Sequence, residues 1–565
     1  MYPLIRGGAI SPMRENCRVF TCCLTQVTRQ PGGGLLVERR RLSFNKGYKQ
    51  VPEGKDTAMT YSIYLTLALA TAGRQDPERA AETIPHLPDV LGPALGRIRD
   101  LAEGLRKDPL SPLAAVQFEK DLQQATRELA RVVTQWTYNH LEPADAKASP
   151  PEVHCQGSRF RRLSKKSPQQ VDTLFGTITL RRRGYRAGAA EGEPLLFPLC
   201  RALGLAHGAT PALVERAARY QAESGATQKQ TLTRLQQEHS VRWGVKRLRQ
   251  VAAFVAAAME GHRVEAQAEQ VLRWLRQAQD SRGRHRPVLS AGRDGITLGL
   301  RLKGCTLYEV ATTGTLTVYD RRGRRLGTAY LAYTPEPGQG TMSAQLTRLL
   351  QAVLCRWEGP LPRLSYITDA GDNETAYYRK VLRRLRHPRT GERLEWYWVV
   401  DYYHASERLW KMAEALFGSG RESWAWVRKM QKLLLKPGGV GRVLHSAAAL
   451  HSRVKPRGKR LAEFRRAYRY LQARRGQLRF AEYRRLGIPI GSGVTEAACK
   501  TVYSQRLKLS GMRWKKAGAQ TILTLRVILL SGVWEQVYER LLTSDREVQV
   551  RTPGEFDRPT AKEAA

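Results

Sequence analysis

The chain has 565 residues and carries 94 Lys and Arg against 51 Asp and Glu, a formal net charge of +43. Such an excess attracts a phosphate backbone with strong salt dependence, though a structural nucleic-acid binder or a basic membrane-surface protein would share it. No run of 18 apolar residues occurs, and YLTLALATA (64–72) is too short and too small to span, which excludes a transmembrane helix.

MYPLIRGGAISPMREN lacks the apolar core of a secretory signal. The eight cysteines, at 17, 22, 23, 155, 200, 305, 355 and 499, form no CxxC pair, so a zinc ribbon or finger is unsupported. They read as reduced thiols of a cytoplasmic protein. Length implies several domains, and 42% hydrophobic residues suffice for large cores.

Residues 1–58 offer turns (PGGGLL, FNKGYKQ) and no sustained period, so a disordered tail is expected, an over-called reading frame starting before Met59 being the alternative. Residues 59–150 form a helical domain. VLGPALGRIRDLAEGLRK and LAAVQFEKDLQQATRELARVVTQWTYNHL repeat apolar residues at three- and four-residue spacing, and PADAKASPPE (143–152) reads as a linker. Residues 151–208 are expected to be a basic linker with short strands, the alternation in TLFGTITLRR suggesting a hairpin. Its cations are either phosphate contacts or a solvated loop.

Residues 209–285 are the best candidate for helical DNA reading. Pro211 sits just inside a Thr210 cap, and Thr227 with Gln230 matches a capping box. The break His239-Ser240-Val241 then leads into RWGVKRLRQVAAFVAAAM, followed by AQAEQVLRWLRQAQ (266–279). Two helices around a tight break fit a helix-turn-helix with Arg242, Lys246, Arg247 and Arg249 on the second helix. A plain bundle with a basic face would give the same text.

From residue 286 to 404 strands alternate with helices. VLSAGRDGITLGL, LYEVATTGTLTVYD and RRLGTAYLAYT read as strands, SAQLTRLLQAVLCRW as a helix, RLSYITDAG as a strand, TAYYRKVLRRL as a helix and LEWYWVVDYYH as a strand. That order is the one expected of an RNase H-like mixed-sheet core. Residues 405–487 are helical and very basic, an insertion between the fifth strand and the segment that holds Glu496. In 488–544, GIPIGSG turns the chain into a helix capped by Ser492 or Thr495 that carries Glu496, Cys499 and Lys500, and further core helices come after it. Residues 545–565 read as a polar tail.

Three acids stand at element edges in this cationic chain: Asp294 in SAGRDG, Asp369 ending the apolar run of YITDAGDNE, and Glu496 in VTEAACK. Convergent carboxylates offer the oxygen-only donors that Mg²⁺ or Mn²⁺ requires. A pair of such ions would clamp both oxygens of a phosphodiester displacement. Asp372 and Glu374 lie beside Asp369 and are alternatives; Asp369 is preferred because it directly ends the strand. Asp401 ends the next strand and is either structural or a metal neighbour. His404 is either a proton shuttle or a hydrogen-bonded structural histidine.

SAGRDG, YITDAGDNE, VVDYYHASERLW and IPIGSGVTEAACKTVYSQRLKLSGMRW together resemble bacterial insertion-sequence transposases of the DDE class, with Mutator-like relatives, over roughly residues 170–540. The resemblance implies a multidomain α/β protein whose RNase H-like core is interrupted by an all-helical insertion and preceded by helical DNA-binding domains. It implies catalytic and metal-holding roles for Asp294, Asp369 and Glu496, with two Mg²⁺ (or Mn²⁺) per active site. Asp401-Tyr402-Tyr403-His404 stands where Mutator-like proteins often carry Cys-x-x-His. The implied partners are double-stranded DNA (terminal inverted repeats and target) and a second copy of the chain, in a dimer or larger assembly at the nucleoid. Lys500, Arg506, Lys508 and Arg513 would meet the phosphate backbone near the glutamate. Trp514 would stack on an unpaired base or else belong to the core. Two other readings remain: a nuclease or resolvase of the same fold that only hydrolyses, and a non-catalytic DNA-binding protein descended from a transposase.

Overall fold

The computed structural model describes residues 87–107, 111–155, 158–188, 195–302 and 305–543, all within the unit Ala58–Ala565. The expected tails at 1–58 and 545–565, and YLTLALATA, lie outside the described residues.

Two helices come first, α1 (Leu87–Lys107) and α2 (Pro112–Asn139). Ser111 caps α2 by accepting from the Ala114 N–H at 3.1 Å, and Pro112 fills the first position, where a missing N–H costs nothing. The expected linker after α2 is pinned rather than loose. Glu142 is buried and accepts from the Arg183 N–H at 2.7 Å, and the Pro150 carbonyl accepts from Tyr185 Oη at 3.0 Å.

The segment expected to carry short strands is instead a four-stranded antiparallel sheet: β1 (Glu152–Cys155), β2 (Ser158–Thr173), β3 (Gly176–Arg186) and β4 (Leu195–Leu196). Basic residues hid β2, because its solvent-facing side chains are cationic while Val171, Ile178 and Leu180 close a small core beneath. A short helix, α3 (Pro198–Ala202), follows.

α4 (Pro211–Ala222) and α5 (Gln228–His239) precede α6 (Val245–Asp280). The capping box forms as expected, Thr227 and Gln230 each serving the other's backbone N–H. Ser240, in the left-handed region at φ 55°, turns the chain between α5 and α6. The separate helix expected at 266–279 is part of α6, which runs unbroken for 36 residues. No proline interrupts it, and Gly261 alone costs about 1 kcal/mol. The first half of α6 packs with α4, α5 and the last two described helices. Its second half (Val264, Val271, Leu275) covers the central sheet.

That sheet contains β5 (Val288–Leu302), β6 (Cys305–Tyr319) and β7 (Arg325–Tyr333). After α7 (Gly340–Arg356) come β8 (Arg363–Thr368), α8 (Asp372–Lys380) and β9 (Trp396–Val400). The order is β7-β6-β5-β8-β9, with β6 antiparallel to β5 and β7, and with β5, β8 and β9 parallel. The protein is thus mixed α/β around a mixed five-stranded sheet. The last strand ends sooner than the text LEWYWVVDYYH suggests. Asp401 accepts from the His404 N–H at 2.8 Å and starts a helix at Tyr402.

The basic block is helical as expected: α9 (Tyr402–Phe417), α10 (Arg421–Leu434), α11 (Gly439–Val454), α12 (Gly458–Ala473) and α13 (Phe480–Leu486). Its apolar stripes (Leu409, Met430, Phe464, Leu471) merge with the sheet's own core rather than forming a detached one. α14 (Gly493–Ala498) then carries Glu496 into a π turn, Cys499–Ser504, and α15 (Lys516–Leu530) and α16 (Trp534–Thr543) close the chain against α4 and α6. Among the described residues no single helix is long and apolar enough to cross a membrane.

Candidate active site

Strand register brings the acids together. Gly292 is the last residue of β5 paired with β8, opposite Ile367, so Asp294 and Asp369 each lie two residues beyond that pair. Thr368 pairs with Val400, so Asp369 and Asp401 each lie one residue beyond theirs. Asp294, inside β5 just past its pairing with β8, and Asp369 and Asp401, directly after the ends of β8 and β9, therefore stand in one row across three parallel strands, at the sheet edge where mixed α/β folds gather active groups. The row requires the sheet; the intervals 369 − 294 = 75 and 401 − 369 = 32 carry no such information.

Glu496 arrives from the other end of the chain on α14. Thr495 Oγ1 lies 2.8 Å from Thr315 Oγ1 on β6, and Cys499 Sγ lies 3.4 Å from Asp294 Oδ2 and 3.2 Å from Thr313 Oγ1. The approach needs a glycine beneath it. A Cβ on Gly292 would stand 2.1 Å from Thr495 Oγ1, so any side chain there would push α14 off the sheet. Ser492 does not cap the backbone as expected. Its hydroxyl donates to Glu496 Oε1 at 2.5 Å and aims the carboxylate, while Thr495 is spent on the docking contact. The π turn directly after Glu496 shifts the helical phase, a feature often found at functional sites.

Burial pushes the Asp294 carboxyl above the usual range, and the neighbouring Asp369 and Glu496 push it further. Burial likewise raises Glu374, with Asp369 and Asp294 adding to the rise and Arg293 opposing it. Arg293, on the opposite side of β5 from Asp294, is wholly buried, donating to Ser343 Oγ at 3.0 Å and Gln339 Oε1 at 2.8 Å. Burial raises the Cys499 thiol to about 12, and Asp294 adds to the rise, so it stays protonated beside that carboxylate. The acids thus crowd one another with little positive charge among them, the electrostatic condition of a cation site.

Asp401, His404 and Glu496 form the tightest group, with one ligand atom from each within 4.8 Å of the others. Asp401 is wholly buried, and its two oxygens accept from the His404 and Ser492 backbone N–H groups. It therefore ties the end of β9 to the start of α14. His404 Nε2 lies 3.9 Å from Glu496 Oε1, and Nδ1 lies 3.2 Å from Glu407 Oε2. Burial alone would lower its pKa, but the Glu407 hydrogen bond and the Asp401, Glu407 and Asp369 charges leave it raised.

The expected phosphate-binding residues divide. Arg242, Lys246, Arg249, Lys500, Lys508 and Arg513 are exposed, Arg249 also donating to Gln228 Oε1 at 2.9 Å. Arg247 is instead a structural cation, 2.7 Å from Asp172 Oδ2 and donating to the His207 and Gly208 carbonyls. Arg506 corrects the expectation outright. It is wholly buried, donates to the Gln221 carbonyl at 2.8 Å and cannot meet a phosphate. Trp514 is half-buried, donates to the Leu507 carbonyl at 3.0 Å and packs on the core with Leu300 and Leu523, which favours its core reading over a stacking one. Two residues that sequence reasoning did not single out also touch the site: Tyr470 of α12 and Arg474, the residue directly after it, bond the backbone around Asp369. Their basic stretch resembles the rest of the helical block around it, so nothing in the sequence marks them.

The chain matches no family model and no curated protein sequence.

Proposed function

We propose that the chain is a DDE-class DNA transposase of an insertion sequence, acting at the bacterial nucleoid on terminal inverted repeats and target DNA as a dimer or larger assembly. The observation that carries the reading is the convergence of Asp294, Asp369 and Glu496. Two of them are aligned by parallel register, and the third is delivered across 496 − 369 = 127 residues by a helix docked through Thr495 and Cys499. The sheet order, third-second-first-fourth-fifth with the second strand reversed, supports the RNase H-like reading, in which the helices between β9 and α14 would be the insertion.

The donor set fits Mg²⁺ or Mn²⁺, two per site: oxygen ligands only, on carboxylates whose mutual repulsion a divalent ion relieves. Asp294, whose carboxyl both other acids raise, would serve both ions, and Asp369 and Glu496 one each. Bound there, the ions supply charge stabilisation to the attacking and leaving oxygens of the phosphodiester. The protein's part is to hold that geometry. Ser492 fixes Glu496, Cys499 restrains Asp294, and Asp401 locks β9 to α14. Exposed Lys500, Lys508 and Arg513 flank the glutamate and would bind phosphates, with Arg242, Lys246 and Arg249 forming a second contact region around the α5–α6 turn. No covalent protein–DNA intermediate is required.

The test is incubation of the full-length protein with linear DNA carrying the flanking ends and Mg²⁺ or Mn²⁺. End-specific nicks with joined products support a transposase. Nicks alone reduce it to a hydrolytic nuclease, and binding with neither product sinks the enzymatic reading.

A further inference from the structure

Asp369 stands at a hinge. β8 ends at Thr368, and Ala370 takes φ 59°, a left-handed conformation that an L-alanine adopts only when its surroundings impose it. Local bonds begin the turn: the Ala370 N–H donates to Thr368 Oγ1 at 3.1 Å and the Gly371 N–H to Asp369 Oδ1 at 3.0 Å. The grip from outside comes from the insertion. Tyr470 Oη donates to the Asp369 carbonyl at 2.6 Å, and Arg474 Nη2 donates to the Ala370 carbonyl at 2.9 Å. The Tyr470 ring is itself held by guanidinium groups, Arg474 at 4.0 Å and Arg408 at 4.6 Å from its centroid.

The two peptide carbonyls on either side of the Ala370 α-carbon are thus fixed by side chains more than 100 positions away, and that of Asp369 belongs to the peptide joining it to Ala370. Turning that peptide would swing the Asp369 carboxylate out of the row it shares with Asp294 and Asp401. We propose that Tyr470 and Arg474 are positioning residues for Asp369, so that the basic insertion holds a metal-binding carboxylate in place. The inference rests on the metal-dependent reading of the site above. It has a mechanical corollary: a nucleic acid that reorients α12 alters the geometry of Asp369 without touching it.

The experiment compares full-length wild type with Tyr470→Phe, Arg474→Met, the double variant, and the double variant carrying Ala370→Gly. Mn²⁺ affinity by calorimetry, thermal midpoint and single-turnover nicking of bound end DNA are measured for each. Loss of such orienting groups weakens metal binding or turnover by about 10–100-fold, and that loss is expected here with end affinity within about twofold of wild type. Ala370→Gly removes the cost of the left-handed turn, so it should restore part of the lost Mn²⁺ affinity without restoring the thermal midpoint. Wild-type Mn²⁺ affinity and nicking in the double variant would overturn the proposal. So would losses that track the thermal midpoint and ignore Ala370→Gly, which mark a merely structural role. Asp369→Asn separates this proposal from the triad reading. If it nicks like wild type, both fall together. If it is inactive while the double variant is normal, only this proposal falls.

Discussion

Two clusters of charge, one of wholly buried arginines and one of half-buried acids, are treated in opposite ways. Arg506 and Arg526 are almost completely buried with no carboxylate among their hydrogen-bond partners. Arg526 is served by carbonyl and hydroxyl oxygens: Nε donates to the Thr501 carbonyl at 2.8 Å, Nη1 to the Ala222 carbonyl at 2.6 Å, and Nη2 to Ser224 Oγ at 2.9 Å. Ala222 ends α4, whose C-terminal dipole favours a cation. Arg506 has less, Nε donating to Gln221 while Nη2 finds no partner among the described residues. Burial lowers both to about 10, so both remain charged at neutral pH. The acids accept only from neutral donors (the Gly295 and Gly371 N–H groups, Cys499 and Ser492), no arginine or lysine among the described residues pairs with them, and Asp369 and Glu496 both repel Asp294. A buried charge answered by the fold is structural; one left unanswered awaits a ligand.

The largest expected effect tests the unanswered cluster. Asp294→Asn, Asp369→Asn and Glu496→Gln should each slow end nicking by about a thousandfold, the several kcal/mol that metal-held oxygens contribute. End affinity in a gel-shift assay should be unchanged. A variant that still cuts removes that residue from the triad.

Next comes the answered cluster. Arg526→Ala leaves the Ala222 and Thr501 carbonyls without a donor and should cost about 2–4 kcal/mol in chemical denaturation. Added Mn²⁺ should not reverse that loss at the arginine site itself. An Arg526→Ala protein of wild-type stability would erase the distinction between the two clusters.

A smaller effect concerns pH. The folded Asp294 pKa lies above its unfolded value, so in metal-free protein this group withdraws stability as pH rises through the raised value. Asp294→Asn should therefore raise the metal-free thermal midpoint at pH 7, by on the order of 2 °C. Protons compete with the cation for the same oxygens. Wild-type Mn²⁺ affinity should accordingly begin to fall at a higher pH than an ordinary aspartate would give. A pH profile matching an unperturbed carboxylate contradicts the crowding.

The smallest effects belong to the exposed cations. Lys500→Ala, Lys508→Ala, Arg513→Ala and Lys246→Ala should each reduce the salt slope of end binding by about 0.9 for every phosphate no longer neutralised, leaving the melting midpoint in place. Arg506→Ala should do the reverse, lowering stability and leaving the slope alone. An exposed cation whose removal changes neither quantity lies outside the interface.

Much of the site was legible in the text because strand ends and helix starts carry local signals. Asp369 closes an apolar run, Asp294 lies in a glycine-flanked strand, and Glu496 comes after a glycine turn. The helices of the basic block at 405–487 and the capping box at Thr227 were readable for the same reason: periodicity and capping act over only a few residues. The length of β2 is hidden behind the short strands its text suggests because its cations obscure the alternation, and the continuity of α6 is hidden because its apolar face changes partners midway, from the helical bundle to the sheet.

By itself the sequence determined the charge, the order of strands and helices in the central sheet, and which of those elements carry Asp294, Asp369 and Glu496, since each is a property of a short stretch of chain. Only the tertiary structure decided which charges are free to act. It turned Arg506 and Trp514 inward, tied up Arg247 with Asp172, set Asp401 in register with the other acids while giving its oxygens to backbone N–H groups, and brought Tyr470 and Arg474 to the turn that holds Asp369. Burial and hydrogen-bond partnership arise between residues far apart in the chain, so they exist only once strand pairing and helix docking have set the distances.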